Sequence, residues 1–385
     1  MKLTNQVLHA ITPIATGRAS RIGPSCIMPA IPYAHRAVLL PESDVMKAVL
    51  KASPGPGLEL RTVPDPTPEY GEVVLQVRAT SMCGTDGHVY QWDNWARQRI
   101  KPPRILGHEM YGEVVAVGKG VSSVRVGDRV AAESHVTCGK CFQCRTGNAH
   151  VCKNYTILGI DRDGSFAQFV AIPEAVCWKT AEEIPPELAC MQESLGNSVH
   201  AVLSEDVTGH TLLVTGCGPT GLFAIAVART AGAGTIIATD VSEYRLELAR
   251  KVGANLAFNP QKEDPRAIPD RTNGEGIDAC LEMSGHPSAI QLCFQYVKNA
   301  GRVVLFGIPN APVPLDLARD VIFKGVRVHG ITGRRLFETW YRLGGLFRGG
   351  LDIAPIVTHR MPLEEFERGF ELMHSGQCGK VVFMP

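Results

Sequence analysis

From residue 46 to about residue 175, apolar positions come in short alternating runs interrupted by Gly and Pro. Runs at 46–50, 72–79, 112–117, 128–132 and 166–172 have the two-residue period of half-buried strands, which predicts a mostly β domain. Beyond about residue 200 the texture changes. Continuous apolar runs at 211–215, 235–240, 277–283, 302–307 and 326–331 alternate with helically spaced stretches at 222–231, 243–252, 288–298 and 336–347. That alternation predicts βαβ units on a parallel sheet. The tail ending Lys380-Val-Val-Phe383 reads as a return to the first domain, which would leave a cleft between the two. The expected division is an N-terminal extension over 1–45, a β-rich domain over 46–199, a dinucleotide-type domain over 200–341 and a returning segment over 342–385, an α/β protein in all.

Composition narrows the function. With 385 residues, 45% of them hydrophobic and 20% charged, the chain can bury a core in each of two domains. A formal net charge of +1 offers no basic surplus for phosphate backbones, so nucleic acid is not an expected partner. Gly, Pro or a charge interrupts every apolar stretch before it reaches the roughly 18–20 residues that a bilayer crossing needs, so no membrane partner is expected. Residues 1–45 differ: they carry Lys2, Arg18, Arg21 and Arg36 with no acid before Glu42. Such a composition can mimic a transit peptide. An upstream start preceding Met46, or a disordered extension, is the favoured expectation, because the alternating pattern begins at Met46.

Gly216-Cys217-Gly218-Pro219-Thr220-Gly221 fits the dinucleotide turn G-x-G-x-x-G and lies between an apolar run and a helical pattern. The first Gly permits the turn, the second admits a pyrophosphate, and the third lets helix and strand pack closely. Asp240 ends the next apolar run, 19 residues after Gly221, where an acid accepts from ribose hydroxyls and repels a 2′-phosphate. NAD is therefore preferred to NADP, although Arg245 nearby is a group that can hold a phosphate.

The chain has 12 cysteines, four of them at 138, 141, 144 and 152. Four thiolates in that spacing surround one tetrahedral ion and leave no place for water, so Cys138, Cys141, Cys144 and Cys152 predict a structural zinc and a reducing, cytoplasmic setting. Cys83, in Cys83-Gly84-Thr85-Asp86, and His108, in Gly107-His108-Glu109, both flank predicted strands. Thiolate, imidazole and one carboxylate would hold a second zinc with a position open for catalysis. Glu109 and Glu193 compete for the carboxylate role and the residues alone do not separate them. Asp86 reads as the partner that orients His108.

Taken in order, these motifs resemble the zinc-containing medium-chain dehydrogenases over residues 46–385. The resemblance implies a GroES-like catalytic domain joined to a Rossmann domain, a small-molecule substrate, NAD, two zinc ions per chain and a homotetramer. It also implies that Cys83, His108, Glu109 and Glu193 surround the catalytic zinc, that Thr85 and His88 carry the proton, and that His135 lies near the substrate. Tyr90–Trp95, residues 100–108, and residues 330–335 followed by 338–341 resemble the threonine dehydrogenase branch; polyol dehydrogenases share the metal sites but usually not these stretches. Gly87, where a leucine is usual, and Ser194, where a proline is usual, depart from the pattern beside the expected site. Asp240 stands where glutamate often does. Arg335, Trp92 and Trp95 are expected to shape a pocket or a subunit contact.

Overall fold

The computed structural model describes residues 44–265, 268, 272 and 274–385. The expectations for the first 43 residues, Cys26 included, lie outside the described residues.

The alternating runs of the first half pair antiparallel, and the main sheet they build is mixed, because its two C-terminal strands, Val357–Pro362 and Lys380–Met384, pair parallel. The main one runs, in order, Cys177–Lys179, Arg129–Ala132, Glu109–Val117, Glu72–Ser81, Lys380–Met384 and Val357–Pro362, with Phe169–Pro173 also paired to Glu72–Ser81. The C-terminal tail thus supplies a strand beside the longest strand of the first domain, with Val382 opposite Ser81. This is the return that the Lys380-Val-Val-Phe383 pattern anticipates. Val45–Lys51 pairs with Glu59–Pro64 and Arg104–Ile105 in a separate three-stranded sheet.

The second half forms a six-stranded sheet ordered Leu256–Phe258, Thr235–Thr239, Thr211–Thr215, Ile277–Glu282, Val297–Leu305 and Arg327–Gly330. Every pairing is parallel, and the order reverses beside Thr211–Thr215, the switch point at which doubly wound sheets bind ligands. Burial explains the continuous apolar runs. Leu212, Val214, Ile236, Ala238 and Val304 pack into a core on one face, while Leu213, Ile237, Cys280 and Val303 pack into another on the opposite face. A strand covered on both sides has no polar face to alternate with.

The sequence pattern misses several helices of this fold. Gly84–Gln91 and Asn94–Arg99 lie inside the β-rich half and have no apolar stripe; they are set by caps, Asp86 Oδ2 accepting from the Cys83 amide at 2.9 Å and Asp93 Oδ1 from the Ala96 amide at 2.9 Å. Gln192–Val202 is buried almost all round, which erases the one-sided pattern that marks a surface helix. The expected helix at 222–231 begins three residues earlier, at Pro219, because proline is suited to a first helical position. The one expected at 288–298 stops at Tyr296, where the next strand starts without a loop. Among the described residues no helix is long and apolar enough to cross a membrane.

One core cluster crosses from one half to the other, joining Ala79, Tyr111, Leu195, Val199 and Val382 to Leu222 and Val227. The tail is equally committed to the first domain. Phe383 is fully buried and meets Phe166 edge to face at 5.5 Å. Phe383→Ala is therefore expected to cost about 3–5 kcal/mol of unfolding free energy, measured by urea denaturation.

Candidate active site

Sheet register assembles the first group. In the antiparallel pair, Ser81 lies opposite Glu109, so Cys83 and His108 leave the same end of the sheet as neighbours. Gly107 makes this possible: its φ is +89°, and a Cβ there would stand 2.4 Å from Phe166 Cδ1. Cys83, His108 and Glu109 each offer a ligand atom, and these atoms lie within 4.8 Å of one another. Asp86 is fully buried, with Oδ1 3.7 Å from His108 Nδ1, an ion-pair distance at which neither atom has a hydrogen-bond partner among the described residues.

The charges at this site call for a cation. Asp86, Glu109, Glu133 and Glu193 are four buried carboxylates, and the buried cations facing them are Lys380 and Arg334. Glu109 Oε2 accepts from Ser81 Oγ and Lys380 Nζ, whereas the equally buried Glu109 Oε1 has no hydrogen-bond partner among the described residues. Burial alone would lower the His108 pKa, but the Asp86 carboxylate and the Cys83 thiol outweigh it and raise it to about 10. A thiol, an imidazole and a carboxylate with an unused oxygen, in a pocket lined by buried carboxylates, are a donor set that fits zinc.

Glu193 stands beside this group and outside the set of three. Its Oε1 receives Arg334 Nη1 at 2.7 Å and Ser134 Oγ at 2.5 Å. Arg334 also grips Glu133 with Nε at 2.7 Å and with Nη2, and Trp340 Nε1 donates to Glu133 at 2.9 Å. Burial would raise the Glu133 pKa, but Arg334 holds it well below the usual carboxylate range. Sequence reasoning singled out Arg335, which is half-exposed and paired with Glu338; its neighbour Arg334 is the buried one. Glu133, Arg334 and Lys380 were missed because nothing local marks them. The available signal was the Gly330–Arg335 stretch itself.

The remaining candidates are spread more widely. Thr85 Oγ1 is 3.8 Å from Cys83 Sγ. His88, three residues further along the same helix, is exposed, with Nδ1 2.6 Å from Asp93 Oδ2 and Trp95 against its ring. His135 Nδ1 lies between two groups of opposite demand, 2.8 Å from Arg334 Nη2, which only donates, and 3.2 Å from Glu133 Oε1, which only accepts. Trp92 is buried beneath the Lys51 ammonium, 5.2 Å from its ring centroid. Gly87 and Ser194 prove to be packing solutions: a Cβ on Gly87 would stand 2.7 Å from Met373 Cε, and Ser194 Oγ bonds back to Met191 O at 3.3 Å.

The glycine turn sits at the switch point, at the carboxyl end of Thr211–Thr215 and the start of Pro219–Thr230. Gly216 has φ +87°, and a Cβ on Gly221 would lie 1.9 Å from the Gly216 oxygen. A Cβ on Gly218 would meet nothing within 4 Å, which leaves the open approach that a pyrophosphate needs at a helix N-terminus. Asp240 braces the turn, accepting from the Cys217 amide at 2.7 Å and the Ser242 amide at 2.8 Å. Arg245 is half-buried and its Nε has no hydrogen-bond partner among the described residues.

Cys138, Cys141, Cys144 and Cys152 converge in a lobe of their own. Their sulfurs are 3.5 Å apart for Cys141–Cys144, 3.7 Å for Cys141–Cys152 and 3.5 Å for Cys138–Cys152. Four sulfurs at about 2.3 Å from a tetrahedral zinc stand roughly 3.8 Å apart, so the lobe fits that ion with little adjustment. Cys141→Ser is expected to remove one zinc per chain by metal analysis and to lower the unfolding midpoint, since a structural zinc is part of the folding free energy. In the turn, Gly221→Ala should cost about 1–3 kcal/mol or more by overpacking. Gly218→Ala should leave stability within about 1 kcal/mol and weaken NADH binding, as read by nucleotide fluorescence.

Two family models match the chain: the alcohol dehydrogenase GroES-like domain over residues 69–183 and the zinc-binding dehydrogenase domain over residues 219–348. An L-threonine 3-dehydrogenase of Bacillus licheniformis is 50% identical over 342 residues, covering 88% of this chain and 99% of the relative. Among solved structures, an alcohol dehydrogenase of Escherichia coli complexed with NADH has a TM-score of 0.81 at 28% identity, covering 89% of this chain and all of that one. The 2R,3R-butanediol dehydrogenase of Bacillus subtilis has a TM-score of 0.80 at 28% identity, covering 88% of this chain and 99% of its own. On the strength of both family models and of relatives about 50% identical over nearly their whole length, the chain, with its metal pocket, four-cysteine lobe and dinucleotide turn, belongs to the zinc-dependent medium-chain alcohol dehydrogenases.

Proposed function

We propose that this enzyme oxidises the 3-hydroxyl of L-threonine, giving 2-amino-3-oxobutanoate and NADH. One observation carries the reading: the Cys83–His108–Glu109 group and the dinucleotide turn lie in a chain 50% identical, over nearly the whole relative, to an L-threonine 3-dehydrogenase. When bound, zinc supplies a Lewis acid for the substrate hydroxyl and NAD supplies the hydride acceptor.

The side chains divide the remaining work. Cys83, His108 and Glu109 would hold the ion, with Asp86 beside His108 and Lys380 anchoring Glu109 through Oε2, which would leave Oε1 as its donor. Glu193 stands beside them on Arg334. Thr85, close to Cys83, takes the hydroxyl proton, and His88 releases it to solvent from its exposed ring. Asp93 accepts at Nδ1 of His88, which leaves Nε2 free to take a proton. His135, whose Nδ1 is the ring nitrogen held by Arg334 and Glu133, turns Nε2 to the substrate carboxylate or hydroxyl. Gly216, Gly218, Pro219, Thr220 and Gly221 receive the pyrophosphate, while Asp240 at their edge supports NAD over NADP.

A homotetramer is the assembly that fits this reading. The outermost strand of the parallel sheet, Arg327–Gly330, has an unpaired edge with Val328 exposed, and Ile322 and Phe323 are exposed just before it. A cytoplasmic setting fits the described cysteines, none of which is in a disulfide.

The initial rate of NAD reduction, compared for L-threonine, sorbitol and 2,3-butanediol, tests the substrate, with NADP as the cofactor control. L-threonine with NAD is expected to be fastest; a diol in first place would overturn the substrate assignment. Cys83→Ala should lose about 10³-fold or more in turnover, a Lewis acid being worth several kcal/mol, while NADH still binds.

A further inference from the structure

Arg334 lies in the segment that follows the last strand of the dinucleotide sheet, far in sequence from any metal ligand, yet its side chain ends against Glu193. The guanidinium has no slack. Nε and Nη2 bind Glu133, Nη1 binds Asn197 Oδ1 at 3.0 Å and Glu193 Oε1 at 2.7 Å, and Nη2 also reaches Ser134 Oγ at 3.0 Å and His135 Nδ1 at 2.8 Å. Nε and both terminal nitrogens of the planar fork are thus engaged, with Glu193 held as an ion pair beside the hydrogen bond to Asn197. The helix carrying Glu193 is shaped to admit this side chain: a Cβ on Gly196 would stand 2.8 Å from Arg334 Cδ. A mid-helix glycine is worth about 1 kcal/mol less than alanine, so the notch has a stability cost.

Glu193 is tethered by one oxygen only. Oε1 takes both Arg334 and Ser134, and no hydrogen bond reaches Oε2 among the described residues. The carboxylate is close enough to Asp86, His108 and Glu109 to act on each electrostatically. We propose that Arg334 is a positioning residue of the metal centre: by gripping Oε1 it sets how far Oε2 reaches toward the Cys83–His108–Glu109 group. Metal coordination is thereby tied to the loop at the cofactor end of the parallel sheet. The proposal rests on the metal-site reading above and is independent of which alcohol is the substrate.

Cobalt(II) substitution without substrate tests it. The catalytic-site spectrum is the difference between the cobalt-loaded parent and a cobalt-loaded Cys83→Ala variant, which keeps only the four-cysteine lobe. In Arg334→Met the cobalt bands are expected to move and metal affinity at this site to change by about 10- to 100-fold. Adding Glu193→Gln should make the double variant match Glu193→Gln alone. Ser134→Ala, which removes the smaller tether, should move the bands the same way by less, and it decides the matter if Arg334→Met does not fold. Unchanged bands and affinity in the folded variants would overturn the proposal. A parent without any Cys83-dependent cobalt band would instead overturn the metal-site reading, and the proposal with it.

Discussion

Several carboxylates buried together are the constraint around which this molecule is arranged. Asp86, Glu109, Glu133 and Glu193 lose their hydration in one region, a cost no apolar packing offsets, so each must meet a cation or a donor. The chain meets the requirement with its most distant parts. Lys380 arrives on the C-terminal strand to bind Glu109, and Arg334 arrives from beyond the parallel sheet to bind Glu133 and Glu193. What remains unmatched is the Cys83 sulfur and the second oxygen of Glu109, donors that a divalent ion fits.

The same interactions make one unit of the two halves. Helix Gln192–Val202 shares its core with Pro219–Thr230, and Ser198 Oγ donates to the Thr220 oxygen at 2.8 Å inside the cofactor turn. Arg334 seats in the Gly196 notch of that helix, and Trp340 reaches across to Glu133. The helix bearing Glu193 therefore touches both the dinucleotide turn and the loop at the far side of the parallel sheet.

The two departures from the family pattern acquire a physical account in this setting. Gly87 leaves room for Met373 of the helix Phe366–Ser375, so the volume of the usual leucine is supplied from elsewhere. Ser194 satisfies its own hydroxyl within the helix.

By itself the sequence determined what depends on neighbours along the chain. The dinucleotide turn, the four-cysteine lobe and the Cys83–Asp86 and Gly107–Glu109 motifs are each short enough for spacing to encode their geometry. The parallel strands were readable because burial on both faces demands continuous apolar runs, as the split of Leu212 and Leu213 between two cores shows. Tertiary structure alone decided that Ser81 pairs with Glu109, that Glu193 stands on Arg334 and outside the three-residue group, and that Lys380 closes over Glu109. Those relations join residues tens to hundreds of positions apart. Register and electrostatic pairing leave no periodic trace in a sequence: a lysine in a tail and an arginine in a loop look the same whether they face water or a buried acid.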